Sequence, residues 1–163
     1  MSSPKIVARL ETTLGSDAFV YEHELSLLNP PNWLNSALVD FYMQNLTLSS
    51  PATTYLETSI VSFMIHLYSN KENRSEFDEG DYEDECSNLR HLFTTTFSTP
   101  TAYLAAVNAS HANPGDWSSP GSGVHWSLLA LTYDPTSRNL SAAHYDPNPA
   151  LPNSRAANVV LRR

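Results

Sequence analysis

The sequence predicts a single α+β domain, because segments typical of strands and segments typical of helices both occur along its 163 residues. The clearest strand signal is a hairpin. Residues 124–133 are mostly apolar and aromatic, residues 134–137 (DPTS) are typical of a turn, and residues 139–145 return as a second strand. Residues 101–107 (TAYLAAV) predict a further, buried strand.

Two helices are predicted ahead of these strands. The first follows Pro30-Pro31, is capped by Asn35 or Ser36, and carries apolar residues at roughly helical spacing. These residues are Leu38, Phe41, Tyr42 and Leu46. The second helix is predicted over residues 55–68, whose apolar positions form a stripe suited to packing on the core. That stripe consists of Leu56, Ile60, Phe63, Met64 and Leu67.

The two ends of the chain are less regular. Residues 1–24 are predicted to be a mixed leader, in which residues 17–21 are a candidate extended segment. Near the other end, Pro147 and Pro149 disfavour both helix and sheet. Asn153 is then suited to cap a helix that runs to Arg163.

The composition limits the possible partners. Seventeen acidic residues against nine basic residues give a net charge of -8, which disfavours nucleic acid and anionic membranes, since both require clustered Lys and Arg. No apolar run approaches the length of a membrane span, and the N-terminus lacks the apolar core of a signal peptide. A cytoplasmic or nuclear location is therefore predicted.

No metal or cofactor is predicted. The single cysteine, Cys86, excludes an internal disulfide and a cysteine-rich zinc site. The acidic stretch of residues 76–85 does not match the spacing of a calcium-binding loop, so it is interpreted as a solvated loop.

The hairpin also predicts a chemical pair. If residues 134–137 close the turn, Tyr133 faces Arg138, and His125 faces Asp146 on the same side of the sheet. An acid beside a histidine is the arrangement that orients a general base. A register slip of one residue would place the two side chains on opposite faces, and a hairpin with polar ends also pairs His with Asp by chance.

Two sequence blocks carry a resemblance to a known family. HWSLL followed by HYD, within residues 125–146, resembles the catalytic hairpin of the ubiquitin-like-protein-specific cysteine proteases, the sentrin-protease family of papain-like fold. The block LLNPPNWLNSALVDFYMQNL, residues 27–46, is similar to the entry of that family's first helix, and its Pro-Pro pair favours the deneddylase branch. The resemblance extends from about residue 25 to residue 157, with both blocks in the family's order.

The resemblance implies a papain-like fold over residues 25–163, incomplete at its C-terminus, after a leader of residues 1–24. It implies peptidase activity after the di-glycine of a ubiquitin-like modifier, so the partners are the modifier and its conjugates. The implied catalytic residues are His125 as base and Asp146 as its orienting acid. The implied substrate-binding residues are Trp33, Trp126 and Asn108.

The two indoles would form a narrow roof that admits only glycine. For Trp33, an anchor in the core is the alternative interpretation. Ser36 stands where the family usually has Asp, which leaves the acidic contact of that position without a match.

The family's nucleophile has no match in this sequence. In the family, an oxyanion Gln and then the Cys follow the Asp, whereas here Gln44 and Cys86 both precede His125. Cys86 is a poor replacement, because its acidic neighbours oppose ionisation of the thiol. Ser127, the other candidate nucleophile, is interpreted as structural. We therefore expect a protease domain that lacks its C-terminal third and is inactive as given. The alternatives are a non-catalytic binder of a ubiquitin-like protein and a globular domain whose two blocks are coincidental.

Overall fold

A computed structural model describes most of the predicted elements. The described residues are 3–11, 17–30, 32–69, 83–84, 87, 102–108, 125–134, 136–137, 139–148 and 153–161. Cys86 and most of the predicted acidic loop, residues 76–85, lie outside them. Within the described residues the protein is a mixed α+β domain, as the sequence predicts.

The N-terminal part forms a two-stranded antiparallel sheet in which β1 (Ile6–Glu11) pairs with β2 (Asp17–Tyr21). The predicted extended segment is thus confirmed as β2. A 3-10 helix, Glu22–Leu28, follows. Within it, the buried Glu24 carboxylate accepts a hydrogen bond of 2.5 Å from the side-chain amide of Asn35, which ties this part of the chain to the start of the first α-helix.

Helix α1 (Ser36–Thr47) begins where the sequence predicts. Asn35 is its N-cap, since its side-chain oxygen accepts a hydrogen bond of 3.0 Å from the Leu38 N–H. Tyr42 and Leu46, which follow helical spacing in the sequence, are nevertheless exposed because the buried face of α1 passes through other positions. The buried residues of α1 are Leu38, Val39 and Gln44.

Strand β3 (Thr53–Leu56) and helix α2 (Thr58–Ser69) occupy the stretch predicted as one helix. That prediction was wrong for the residues up to Leu56, which are extended. Asp40 of α1 explains where α2 begins, because its carboxylate accepts hydrogen bonds from the N–H and the hydroxyl of Thr58 at 2.9 and 2.7 Å. Burial raises the pKa of Asp40 above its ordinary value, and these hydrogen bonds oppose the rise.

A four-stranded sheet has the order β3-β4-β5-β6. Its other strands are β4 (Ala102–Asn108), β5 (Trp126–Asp134) and β6 (Asn139–Tyr145). Strands β3 and β4 run parallel, whereas β4, β5 and β6 are successively antiparallel. The predicted buried strand and the predicted hairpin are both confirmed.

The register of the hairpin differs from the prediction by two residues. Tyr133 pairs with Leu140 and not with Arg138. Strand β5 continues through Asp134, whose carboxylate accepts a hydrogen bond of 2.9 Å from the Thr136 N–H and so begins the turn one residue later than predicted. Side chains alternate between faces with a period of two, so a shift of two residues leaves each one on its predicted face.

The sheet lies between helices. Alternate residues of its strands face two separate apolar clusters, one with α2 and the last helix, α3 (Asn153–Leu161), and one with α1. The central residues of the first cluster are Leu56, Val61, Ile65, Tyr103, Val107, Leu129 and Ala156. The second contains Val39, Tyr55 and Ala106, with Trp126 packed against it. No helix in the described part of the chain is long and apolar enough to cross a membrane.

Candidate functional site

The end of the hairpin away from its turn brings His125 and Asp146 together. His125 immediately precedes β5, and Asp146 immediately follows β6. The imidazole Nε2 lies 2.5 Å from the carboxylate Oδ1, and the two side chains are only 9% and 5% exposed. The predicted pairing therefore occurs, although the two residues are not directly opposed in the ladder.

Asp146 is held in its ionised form. Burial opposes ionisation, but the hydrogen bonds from His125 and from the Asn148 N–H outweigh it and lower the pKa of Asp146 below its ordinary value. An ionised carboxylate only accepts hydrogen bonds, so we infer that Nε2 of His125 carries the hydrogen. The lone pair is then on Nδ1, which is the nitrogen able to accept a proton.

The first helix and the hairpin meet beside this pair. The Trp126 indole N–H donates a hydrogen bond of 2.9 Å to the carbonyl of Leu34. Asn108, the last residue of β4, is buried and pairs with Trp126 in the sheet. Trp33, next to Leu34, is 60% exposed, so the alternative of a core anchor is wrong for Trp33.

A buried amide behind His125 was not predicted as part of the site. Asn153 is fully buried, and its side-chain N–H₂ group lies 3.0 Å from the Val107 carbonyl, 2.9 Å from Ser127 Oγ and 3.3 Å from the His125 carbonyl. Its side-chain oxygen has no hydrogen-bond partner among the residues that the structure describes, helix α3 included. The prediction that Asn153 caps the last helix was therefore wrong, because a cap requires that oxygen to accept from the helix.

Ser127 is engaged on several sides, which agrees with its interpretation as structural. Its buried hydroxyl accepts from Asn153, lies 2.9 Å from Nε2 of His144, and reaches the Val107 carbonyl at 3.4 Å. The sequence signal for this network is the alternation that places Ser127 and His144 on the same face as His125. Nothing in the sequence indicates that Asn153 reaches across to them.

The other candidate groups lie elsewhere. Gln44 is on α1, and its side-chain amide donates to Glu57 at 3.3 Å, so it is not at the His125 pair. Cys86 is outside the described residues. Among the residues that the structure describes, no cluster of three His, Cys, Asp or Glu side chains is suited to hold a metal ion.

The fold and the site define a mixed α+β domain in which the hairpin of β5 and β6 ends in a buried imidazole–carboxylate pair. No family model matches the chain, and no curated protein was found to be similar to it. Any function must therefore be argued from the site itself.

Proposed function

We propose that this chain carries the histidine and aspartate of a papain-like cysteine peptidase, of the type that cleaves after the di-glycine of a ubiquitin-like modifier, nearest the deneddylase branch. The observation that supports this most is the 2.5 Å contact between His125 Nε2 and Asp146 Oδ1, with both side chains buried. A cytoplasmic or nuclear location belongs to the same proposal, since the modifier and its conjugates are the partners.

The geometry suits the acid–base part of thiol chemistry. His125 Nδ1 would accept the proton of a thiol, and Asp146 would stabilise the resulting imidazolium. The thiolate would then attack the carbonyl carbon of the terminal glycine, and the imidazolium would return the proton to the departing amine. The thiol itself is unmatched, because the single cysteine, Cys86, directly follows the acidic residues 83–85. We therefore expect no turnover by the chain as given.

The second candidate function is non-catalytic binding of a ubiquitin-like protein. It is favoured by the exposed Trp33 together with Trp126, whose indole is fixed to the carbonyl of the residue after Trp33. Two flat indoles that meet over a narrow groove would exclude any residue with a side chain, so the groove would select a glycine tail. This function requires no thiol.

Saturable binding of a ubiquitin-like modifier is expected to depend on its di-glycine tail and on Trp126. Removing the tail, or changing Trp126→Ala, should weaken binding about tenfold or more. Either change removes the packing of the indole against the glycine tail and leaves the rest of the interface in place. Isothermal titration calorimetry with intact and tail-truncated modifier measures this. Leu140→Ala is the matched control, since Leu140 is exposed at the turn end of the same hairpin.

A modifier with a thiol-reactive group at its C-terminus separates the two functions. We expect no covalent adduct with this chain, because the family's cysteine follows the aspartate, whereas the single cysteine of this sequence, Cys86, precedes His125. Mass spectrometry after incubation is the measurement, with Cys86→Ser as the control. An adduct that disappears in Cys86→Ser would make the chain an active peptidase with a different nucleophile. Binding that does not depend on the di-glycine would contradict both candidate functions.

A further inference from the structure

The structure assigns to Asn153 the role of a positioning residue: we propose that its buried amide fixes the backbone of His125 and thereby holds the imidazole on Asp146. The description of His125 as a base rests on the proposed function. The orienting role of Asn153 is a separate physical statement and can be tested separately.

The orientation of the Asn153 side chain follows from its neighbours. Two of them are the carbonyl oxygens of Val107 and His125, at 3.0 and 3.3 Å, and a carbonyl oxygen only accepts hydrogen bonds. The nitrogen must therefore be the atom that faces them. Its two hydrogens are shared among these carbonyls and Ser127 Oγ, and the contact to His125 is the longest of the three.

His125 lies at the edge of the sheet that the structure describes, where such a contact can position it. The ladder between β4 and β5 ends at the pair Asn108 and Trp126, so His125 lies one residue beyond the last paired position. Asn153 bridges from helix α3 to β4 through Val107 and to the segment before β5 through His125. One buried side chain thus joins the helix, the sheet and the backbone of the histidine.

The same amide also contacts a buried hydroxyl, that of Ser127. Ser127 Oγ accepts from Asn153 at 2.9 Å and lies 2.9 Å from Nε2 of His144. The three acceptors of the Asn153 amide are buried, so the loss of its hydrogens leaves them without this donor. The backbone at the start of β5, which carries His125, then loses its link to helix α3.

The test is the exchange with water of the His125 Nε2–H hydrogen, followed by NMR in the chain without any modifier. In Asn153→Leu, which is similar in size and has no donor, exchange should be about tenfold faster than in the wild type. The control is Ser127→Ala, which also disturbs the buried network but leaves both carbonyl contacts of Asn153 in place. In Ser127→Ala the exchange should change by less than about twofold.

A purely structural role would lower the stability of both variants and leave the exchange of the His125 hydrogen alike in the two. That result, or unchanged exchange in folded Asn153→Leu, would overturn the proposal. If Asn153→Leu does not fold, the proposal can still be tested by hydrogen exchange in the wild type. The Asn153 amide hydrogens and the His125 Nε2–H should then have protection factors within about threefold of each other, since one opening releases both. Asn153 hydrogens that exchange much faster than that of His125 would overturn it as well.

These results are distinguishable from a failure of the proposed function. A chain in which Asn153 controls the His125 hydrogen but which shows no binding dependent on the di-glycine would retain the positioning role and lose the peptidase assignment. A chain that binds the di-glycine tail but shows no effect of Asn153→Leu on the His125 hydrogen would keep the proposed function and lose the positioning role of Asn153.

Discussion

Replacing Asp146 with alanine is expected to lower the free energy of unfolding by about 3 kcal/mol at neutral pH. The substitution removes the partner of a buried imidazole N–H and the acceptor of the Asn148 N–H. The side chain of His125 is 9% exposed, so water replaces the lost hydrogen bond poorly. Urea denaturation followed by circular dichroism measures the difference.

The cost of Asp146→Ala is expected to depend on pH with a defined sign. The pKa of Asp146 is lower in the folded protein than in the unfolded chain, so the folded state favours the ionised carboxylate. Its contribution is fully present above the pKa of an unfolded Asp, about 3.9, and is lost as the pH falls through the lower folded value. The difference between wild type and Asp146→Ala should therefore shrink as the pH falls below about 4.

Asp134→Ala provides the control for Asp146→Ala. Asp134 lies at the other end of the same hairpin, and its pKa is also lowered, by hydrogen bonds from Ser137 and Thr136. It is exposed, so water can replace those hydrogen bonds, and the loss of stability should be clearly smaller. A difference between wild type and Asp146→Ala that is the same at low and neutral pH would contradict an ionised, hydrogen-bonded Asp146.

The part of the site that could be predicted is the part that follows from alternation along a hairpin. The two strands on either side of residues 134–137 each have two faces. His125 and Asp146 are equally far from the two ends of that turn, so the hairpin places them on the same face. The sequence pattern places the turn one residue too early. Turn propensities do not specify the hydrogen bond from the Thr136 N–H to the Asp134 carboxylate, which sets the start of the turn. The predicted register differs from the observed one by two residues, which keeps every side chain on its predicted face. The prediction that His125 and Asp146 lie together therefore holds.

The parts that could not be predicted depend on contacts between distant segments. The apolar stripe of α2 continues back to Leu56, so the sequence does not show where the helix begins. The start of α2 at Thr58 is fixed by hydrogen bonds to the Asp40 carboxylate, which belongs to another helix. Asn153 has the residue type of a helix cap, yet its amide is used by carbonyls in two other segments. A sequence pattern predicts the role of a residue from its neighbours along the chain. The roles of Asp40 and Asn153 depend instead on hydrogen bonds to segments that are distant in the sequence.

Leu129→Ala is expected to be the most destabilising of the substitutions considered, with a loss of about 4 kcal/mol in the free energy of unfolding. Leu129 is 0% exposed and lies in the cluster between the sheet and helices α2 and α3. Truncation removes buried apolar surface and leaves a cavity that a strand paired on both sides closes poorly. Denaturant titration at fixed pH, with the slope checked for two-state behaviour, gives the value.

Leu140→Ala is the matched control, since it removes the same atoms from the partner strand of the same hairpin. Leu140 is 51% exposed, so its truncation should cost less than about 0.5 kcal/mol. Leu140 lies on the same face of the hairpin as Leu129, because its partner Tyr133 is separated from Leu129 by an even number of residues. The contrast between the two substitutions therefore tests burial and not the choice of face. A cost for Leu140→Ala equal to that for Leu129→Ala would contradict the burial of Leu129 between the sheet and helices α2 and α3.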